Sequence, residues 1–427
     1  MKFATKAIHT PFNKEDTYGA LRMPVYDNVA FGFQDAETLE AAFRGTKPLH
    51  TYSRISNPTV EYFENVIKNL TGSLGVIAVS SGMAAIANVF FGISQSGDNF
   101  ITSKNLFGNT FSFFENTLKP FGVSFKYADL TSVESIEHLI DTNTRGIFLE
   151  TITNPQLEVA DLKKISEVAR RHHLVLIVDS TITPLSFFNA KELGINIEVI
   201  SSTKYISGGA TSMGGIIIDH GTFDWNFIPK FSDNVRKFEK FAFIAKLRKE
   251  VSRNIGACLS AHNAYLQTLG LETFDLRIKK SCQNAQILAQ WLEKQQGITH
   301  VNYPGLVSSV FHETSKNQFG DLQGALLTFN LSDKEHCFEF MNKLKLICRS
   351  TNLNDNKTLI IHPASTIFCE YPPEIRQQLG VCDTLIRMAV GIEEPEDLIE
   401  DISQSLTLFT ENIKQETYTH INNGFYR

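Results

Sequence analysis

Seven short apolar runs in the middle of the chain, separated by amphipathic stretches, constrain the fold more than any other feature. They are Val76–Val79, Asn99–Ser103, Ser124–Ala128, Gly146–Glu150, Leu174–Val178, Val199–Ser202 and Gly214–Ile218. Runs such as Ile147–Leu149 and Val175–Val178 are apolar on both faces, the pattern of strands covered by helices on each side. Between them, Leu162–His172 places Leu162, Ile165, Val168 and Ala169 on one helical face. Strands alternating with helices predict an α/β domain built on a mostly parallel sheet. Before Asn57 the chain is irregular and rich in rings (Tyr18, Tyr26, Phe31, Phe33, Tyr52), which suits packing on something else, a neighbouring subunit among the candidates. A long helical run, Cys258–Gln296, leads to a second apolar α/β pattern with Ala325–Phe329, Leu344–Cys348 and Leu385–Val390. The expected division is an arm over 1–58, a large domain over 59–258 and a small C-terminal domain over 259–427.

Composition removes several classes of function. The 427 residues carry a net charge of −6 and no basic tail, so nucleic acid is not an expected partner. No run approaches the roughly 18 apolar residues of a membrane span, and the first residues show no signal-peptide pattern. A cytoplasmic protein without a membrane partner is expected. The six cysteines, Cys258, Cys282, Cys337, Cys348, Cys369 and Cys382, include no CxxC pair, so reduced structural thiols and no metal site are expected.

Four segments carry chemistry. In Val199-Ile-Ser-Ser-Thr-Lys-Tyr-Ile-Ser-Gly-Gly209, Lys204 follows a buried strand and points to the crevice where open α/β sheets bind ligands. An amine there can form a Schiff base with an aldehyde cofactor, and the hydroxyls beside it can bond a phosphate. Asp179 ends the apolar strand Leu174–Val178, where a desolvated carboxylate needs a partner such as a protonated pyridine nitrogen. Val79-Ser-Ser-Gly-Met-Ala-Ala85 turns a strand into a helix, and its first amides and dipole suit a phosphate. In His50-Thr-Tyr-Ser-Arg-Ile-Ser-Asn-Pro-Thr59, Arg54 and Tyr52 are anion donors. Each segment alone also fits a plain role: a surface lysine, a capping aspartate, a tight turn, a solvated loop.

Together and in this order, the segments resemble the cysteine/methionine-metabolism family of pyridoxal-phosphate enzymes, from about Ala7 to Leu406. The most specific matches are Ser-x-Thr-Lys-Tyr at 201–205, Tyr-Ser-Arg-x-x-Asn-Pro-Thr at 52–59 and Ser-Gly-Met at 81–83. The resemblance implies fold type I, a mostly parallel seven-stranded sheet in the large domain and a smaller C-terminal α/β domain. It implies pyridoxal 5'-phosphate as cofactor, with Lys204 as Schiff-base lysine and proton shuttle and Asp179 on the pyridine nitrogen. Ser201, Thr203 and the amides of Gly82 and Met83 would hold the phosphate, joined by Tyr52 and Arg54 from an adjacent subunit. Asn154 would bond the ring hydroxyl, and Arg387 would clamp the substrate carboxylate with Asn352 nearby. An obligate dimer within a homotetramer follows.

The chain departs from the family pattern in four places. The stacking tyrosine is Phe107, in Phe107-Gly-Asn-Thr110, and a phenyl ring cannot donate a proton to a leaving group. Tyr52 or Lys204 would have to serve instead. Asn109 stands where methionine lyases carry a cysteine. Ser180 follows the aspartate where asparagine is usual, and is expected to be tolerated. The family's Ser-Thr-Thr-His becomes Ser365-Thr-Ile-Phe368, which is expected to alter the entrance or the acceptor preference. Segments such as Phe241–Arg248, Asn263–Thr273 and Thr351–Thr366 resemble the O-acetylhomoserine sulfhydrylase branch. The expected reaction is replacement at the γ-carbon of an O-acylhomoserine, foremost the acetyl ester, by sulfide or a small thiol, giving homocysteine or methionine. The alternative is a γ-lyase acting on homocysteine, cystathionine or methionine. Intact Lys204, Asp179, Arg54 and Arg387 argue against a non-catalytic binder.

Overall fold

The structure, a computed structural model, describes residues 1–12 and 16–406. The chain forms two compact units, one of Met1–Ile152 with Ala160–Asp275, the other of Thr153–Val159 with Leu276–Arg427. The expected helical run from Cys258 is two helices, Ala261–Glu272 and Phe274–Leu292.

The first unit is built on seven strands: β1 (Gly75–Val79), β2 (Asn99–Thr102), β3 (Ser124–Tyr127), β4 (Thr144–Glu150), β5 (Val175–Asp179), β6 (Ile197–Ile200) and β7 (Gly215–Asp219). All seven predicted runs are strands. Their order is β1-β7-β6-β5-β4-β2-β3, and only β7 runs antiparallel to its neighbours. Strands β1, β6 and β7 are buried at every residue, because helices cover both faces. The helix Gly82–Ile93 packs Ile86, Val89, Phe90 and Ile93 against Ile77, Val79, Val199 and Ile217 in one hydrophobic core.

Much of that core is aromatic. Phe90 lies edge-on to Phe100, Phe114, Phe125 and Phe148, with ring centroids 4.8–5.7 Å apart. Phe114 stacks on Phe125 at 3.9 Å. Such offset and edge contacts add to the burial energy of each ring. They also fix the segment after β2, which carries Phe107.

The second unit contains five further strands: β8 (His300–Asn302), β9 (Leu326–Asn330), β10 (Cys348–Arg349), β11 (Leu359–Ile361) and β12 (Leu385–Ala389). Their order is β10-β11-β12-β9-β8, antiparallel except for β10 with β11. β12 is central and fully buried, so Arg387 on it is a core residue. No helix among the described residues is long and apolar enough to cross a membrane. All six cysteines are unpaired. Burial pushes the thiols of Cys282 and Cys337 up to about 12, which keeps them protonated.

Candidate active site

The site in the first unit forms where β4, β5 and β6, three parallel neighbours, end together. Asp179 pairs in register with Glu150 on β4 and Val199 on β6. Its Oδ1 accepts hydrogen bonds from the Thr181 N–H at 2.9 Å and the Thr181 hydroxyl at 2.6 Å. The same hydroxyl accepts the Ser201 N–H at 2.9 Å. Thr181 therefore ties the carboxylate at the end of β5 to the Ser201 backbone at the end of β6. Burial raises the Asp179 pKa to about 6, against the bonds from Thr181 and helped by the charge of Glu198. An ionised Asp179 thus calls for a cation beside it.

The Ser-Gly-Met turn lies directly against Ser201. A Cβ placed on Gly82 would come within 2.7 Å of the Ser201 Cβ, so only glycine allows this approach. Likewise a Cβ on Gly215 would fall 2.0 Å from the Ser81 carbonyl oxygen, pinning the turn from β7. Ser81 caps the helix by accepting the Ala84 N–H at 3.0 Å. The amides of Gly82 and Met83 open a twelve-residue helix and have no intrahelical acceptor. They are positioned for an anion next to Ser201.

Lys204 sits in a turn closed by its own N–H bonding Ser201 O at 3.2 Å, while the Ser207 hydroxyl bonds Thr203 O at 2.7 Å. Thr203 departs from expectation in one respect. Its hydroxyl bonds the Gly214 backbone twice, donating to the carbonyl at 3.2 Å and accepting the N–H at 3.1 Å. Its proton is spent on holding the loop that follows Lys204.

Phe107 belongs to the same cluster. Its N–H donates to Glu150 Oε1 at 2.6 Å, and Glu150 lies beside Asp179 in register. The Thr110 hydroxyl contacts Met83 Sδ at 3.8 Å, linking the Phe107 loop to the Ser-Gly-Met turn. The residue is 39% exposed.

Tyr52 and Arg54 lie elsewhere. The Arg54 guanidinium packs over the Tyr52 ring at 5.6 Å and donates to Arg253 O at 2.6 Å. Arg54 lines a cavity of about 410 Å³ with Glu64, Arg248, Lys249 and Arg253, which includes none of Gly82, Met83, Ser201, Thr203 or Lys204.

The second unit holds Arg387, Asn154 and Asn352 together. Arg387 is 2% exposed. Its Nη1 donates to Asn154 Oδ1 at 3.2 Å, and Nη2 donates to the carbonyls of Thr351 at 3.1 Å and Asn352 at 3.2 Å. Its Nε is buried without a partner among the described residues. Among the described residues no carboxylate pairs with it, and burial lowers its pKa to about 10. Asn352 contributes its carbonyl, while its side chain donates to Asp355 Oδ2 at 3.0 Å. Phe368, which ends the altered Ser365–Phe368 segment, is 3% exposed and packs with Ala364 and Val381.

Sequence reading missed Thr181 and Glu150. A hydroxyl two residues after a strand-ending aspartate is the signature of a local side-chain turn. A glutamate ending an apolar strand is the same signal that singled out Asp179. Among the described residues no group of histidine, cysteine and carboxylate could hold a metal.

These residues fit a compound with a cationic ring nitrogen at one end and a phosphate at the other. Asp179 needs the cation, and the Gly82 and Met83 amides with Ser201 make an anion cradle with no side chain in its way. The sheet and the strand-end lysine define a fold type I pyridoxal-phosphate enzyme. The chain belongs to the Cys/Met metabolism PLP-dependent enzyme family, whose pattern matches residues 4–407. It is 33% identical to L-methionine gamma-lyase of Pseudomonas putida over 95% of this chain and 97% of that protein. It is 32% identical to O-acetyl-L-homoserine sulfhydrylase of Corynebacterium glutamicum over 94% and 95%. A solved O-acetylhomoserine sulfhydrylase of Wolinella succinogenes matches at 47% identity and a TM-score of 0.76, over 83% of this chain and 99% of that one. A solved O-acetylhomoserine (thiol)-lyase of Campylobacter jejuni, carrying N'-pyridoxyl-lysine-5'-monophosphate, matches at 33% identity and a TM-score of 0.87, over 95% and 100%.

Proposed function

We propose that the chain replaces the acetate of O-acetylhomoserine with sulfide or a small thiol, giving homocysteine or a thioether such as methionine. Phe107 carries this choice over elimination. A thiolate is a poor leaving group that benefits from a proton, and a phenyl ring supplies none. Acetate departs as a weak base and needs no such donor. Relatives of both kinds match at similar identity, but the sulfhydrylase of Wolinella succinogenes matches at 47%.

Bound pyridoxal phosphate would supply an electron sink that eases removal of the substrate's α-proton. Lys204 would carry the cofactor as a Schiff base, and once displaced its amine would take the α-proton, then a β-proton, and return them. Asp179 would hold the ring nitrogen protonated, and Phe107 would stack on the ring. Gly82, Met83 and Ser201 would hold the phosphate, with Thr203 positioning the Lys204 loop beside them. Arg387 would receive the substrate carboxylate on its unspent donors, and Asn154 and the Asn352 carbonyl would hold that guanidinium in place. In the balance, the ester C–O bond at Cγ breaks, a C–S bond forms there, and acetate leaves.

Tyr52 and Arg54 would complete the phosphate site of a neighbouring subunit in an obligate dimer, two of which make a homotetramer. The 1–58 arm supports this, since Tyr18, Leu21 and Val29 are 94%, 98% and 61% exposed and need cover. The protein would work in the cytoplasm, with 59–258 as the cofactor domain and 259–427 as the small domain. The test compares homocysteine formed from O-acetylhomoserine plus sulfide with 2-oxobutyrate formed from methionine or homocysteine. Faster 2-oxobutyrate release would favour the γ-lyase reading.

A further inference from the structure

A second polar cluster lies behind Asp179. The Ser180 hydroxyl donates to Glu198 Oε1, and His220 Nε2 lies 3.1 Å from Glu198 Oε2. The three side chains are 0%, 2% and 2% exposed. Glu198 pairs in register with Val178 on β5 and Ile218 on β7. By strand alternation, its side chain lies on the sheet face opposite Asp179, with Ser180 and His220 two residues beyond those partners. His220 Nδ1 has no partner among the described residues. The imidazole therefore spends its single bond on Glu198.

Three buried polar groups between a sheet and its covering helices are costly, and such clusters add little net stability. The helix Gly82–Ile93 covers the other face, where Val199 and Ile217 lie with Asp179, and carries no ionisable residue. The helix Leu162–Arg171 turns Leu162, Ile165, Val168 and Ala169 inwards. The other ionisable groups on these strands are Asp179 and Asp219, and Asp219 Oδ1 is occupied by the Gly221 N–H at 2.8 Å.

We propose that Ser180, Glu198 and His220 form a positioning network that fixes a negative charge behind Asp179 and so favours the protonated form of the cofactor's ring nitrogen. Glu198 is held as an acceptor from both sides: Ser180 spends its proton on one oxygen and His220 points Nε2 at the other. In so dry a place a carboxylate acts on its neighbours with little screening. The influence reaches Asp179, whose proton affinity the Glu198 charge raises. Ser180 is then part of the device, because its hydroxyl donates to Glu198 Oε1.

The inference rests on the reading that Asp179 partners the ring nitrogen, and the experiment separates the two. In the purified holoenzyme, the visible absorbance of the bound cofactor is titrated with pH for the parent, Glu198→Gln, Ser180→Ala and Asp179→Asn. Glu198→Gln should move the midpoint down by at least several tenths of a pH unit. Ser180→Ala should move it the same way by less. An unchanged midpoint in Glu198→Gln, with only a lower melting temperature, would make the cluster structural and overturn the proposal. If Glu198→Gln does not fold, an unchanged midpoint in Ser180→Ala overturns it equally. An Asp179→Asn protein with the parent's midpoint would instead reject the placement of the ring nitrogen.

Discussion

Replacing Arg387 with methionine should nearly abolish substrate capture while leaving the fold almost as stable as before. The guanidinium is buried with no counter-anion, and its pKa falls from 12.5 to about 10. At 1.36 kcal/mol per unit, holding this charge costs the folded protein about 3 kcal/mol at neutral pH. Against this stand its bonds to Asn154, Thr351 and Asn352. Three such bonds at roughly 1 kcal/mol each return about the same amount. Methionine fills much of the volume and removes the charge but leaves the buried Asn154 Oδ1 without its donor, so unfolding free energy by urea should change by no more than about 2 kcal/mol. A substrate carboxylate, by contrast, meets a cation already stripped of water. Losing that pairing should cost about 3–4 kcal/mol, or roughly 10²–10³-fold in kcat/KM for O-acetylhomoserine at saturating sulfide. Cofactor absorbance should be unaffected. A variant that lost several kcal/mol of stability but less than tenfold in kcat/KM would show Arg387 to be a structural residue and refute this reasoning.

Gly82→Ala places a methyl group 2.7 Å from the Ser201 Cβ, and the anion cradle must open to admit it; cofactor affinity, measured by reconstituting stripped protein, should fall at least tenfold. Phe107→Tyr restores a proton donor and should raise 2-oxobutyrate release from homocysteine several-fold, with cofactor affinity unchanged. In cofactor-stripped protein, the Asp179 pKa of about 6 lies above the 3.8 of the unfolded chain. The folded state then binds more protons between these values, so stability falls as pH rises from about 4 to 6. Asp219, raised by burial to about 7, adds a slope of the same sign, so the check is the difference between parent and Asp179→Asn, which should lose about 3 kcal/mol of that fall.

The strands and the strand-end residues were legible because they rest on local pattern. Ile147–Leu149 and Val175–Val178 admit no partner but apolar cover on both faces, and Lys204 and Asp179 are conspicuous as charges ending such runs. What stayed hidden were choices of hydrogen-bond partner. Thr203 reads as a phosphate ligand, yet its hydroxyl is engaged twice by Gly214, eleven residues on. Asn352 reads as a neighbour of Arg387, but that the contact runs through its carbonyl is invisible in the sequence. That Phe368 packs in a small core with Ala364 and Val381 is likewise not written in its own segment. The cluster of Ser180, Glu198 and His220 depends on the pairing of β5, β6 and β7, which no single segment specifies.

The chain enters the second unit for only the seven residues Thr153–Val159, returns to the first, and re-enters at Leu276. Asn154, which braces Arg387, is therefore made 233 residues before it. On the ribosome, that short segment must wait while the rest of the first unit is synthesised. The buried guanidinium gains its full set of partners only when nearly the whole chain has emerged. A gene cut after Asp275 would give two fragments, and the one bearing Arg387 would lack the amide oxygen at Nη1. The surroundings of Arg387 are thus among the last things the synthesis of this protein can finish.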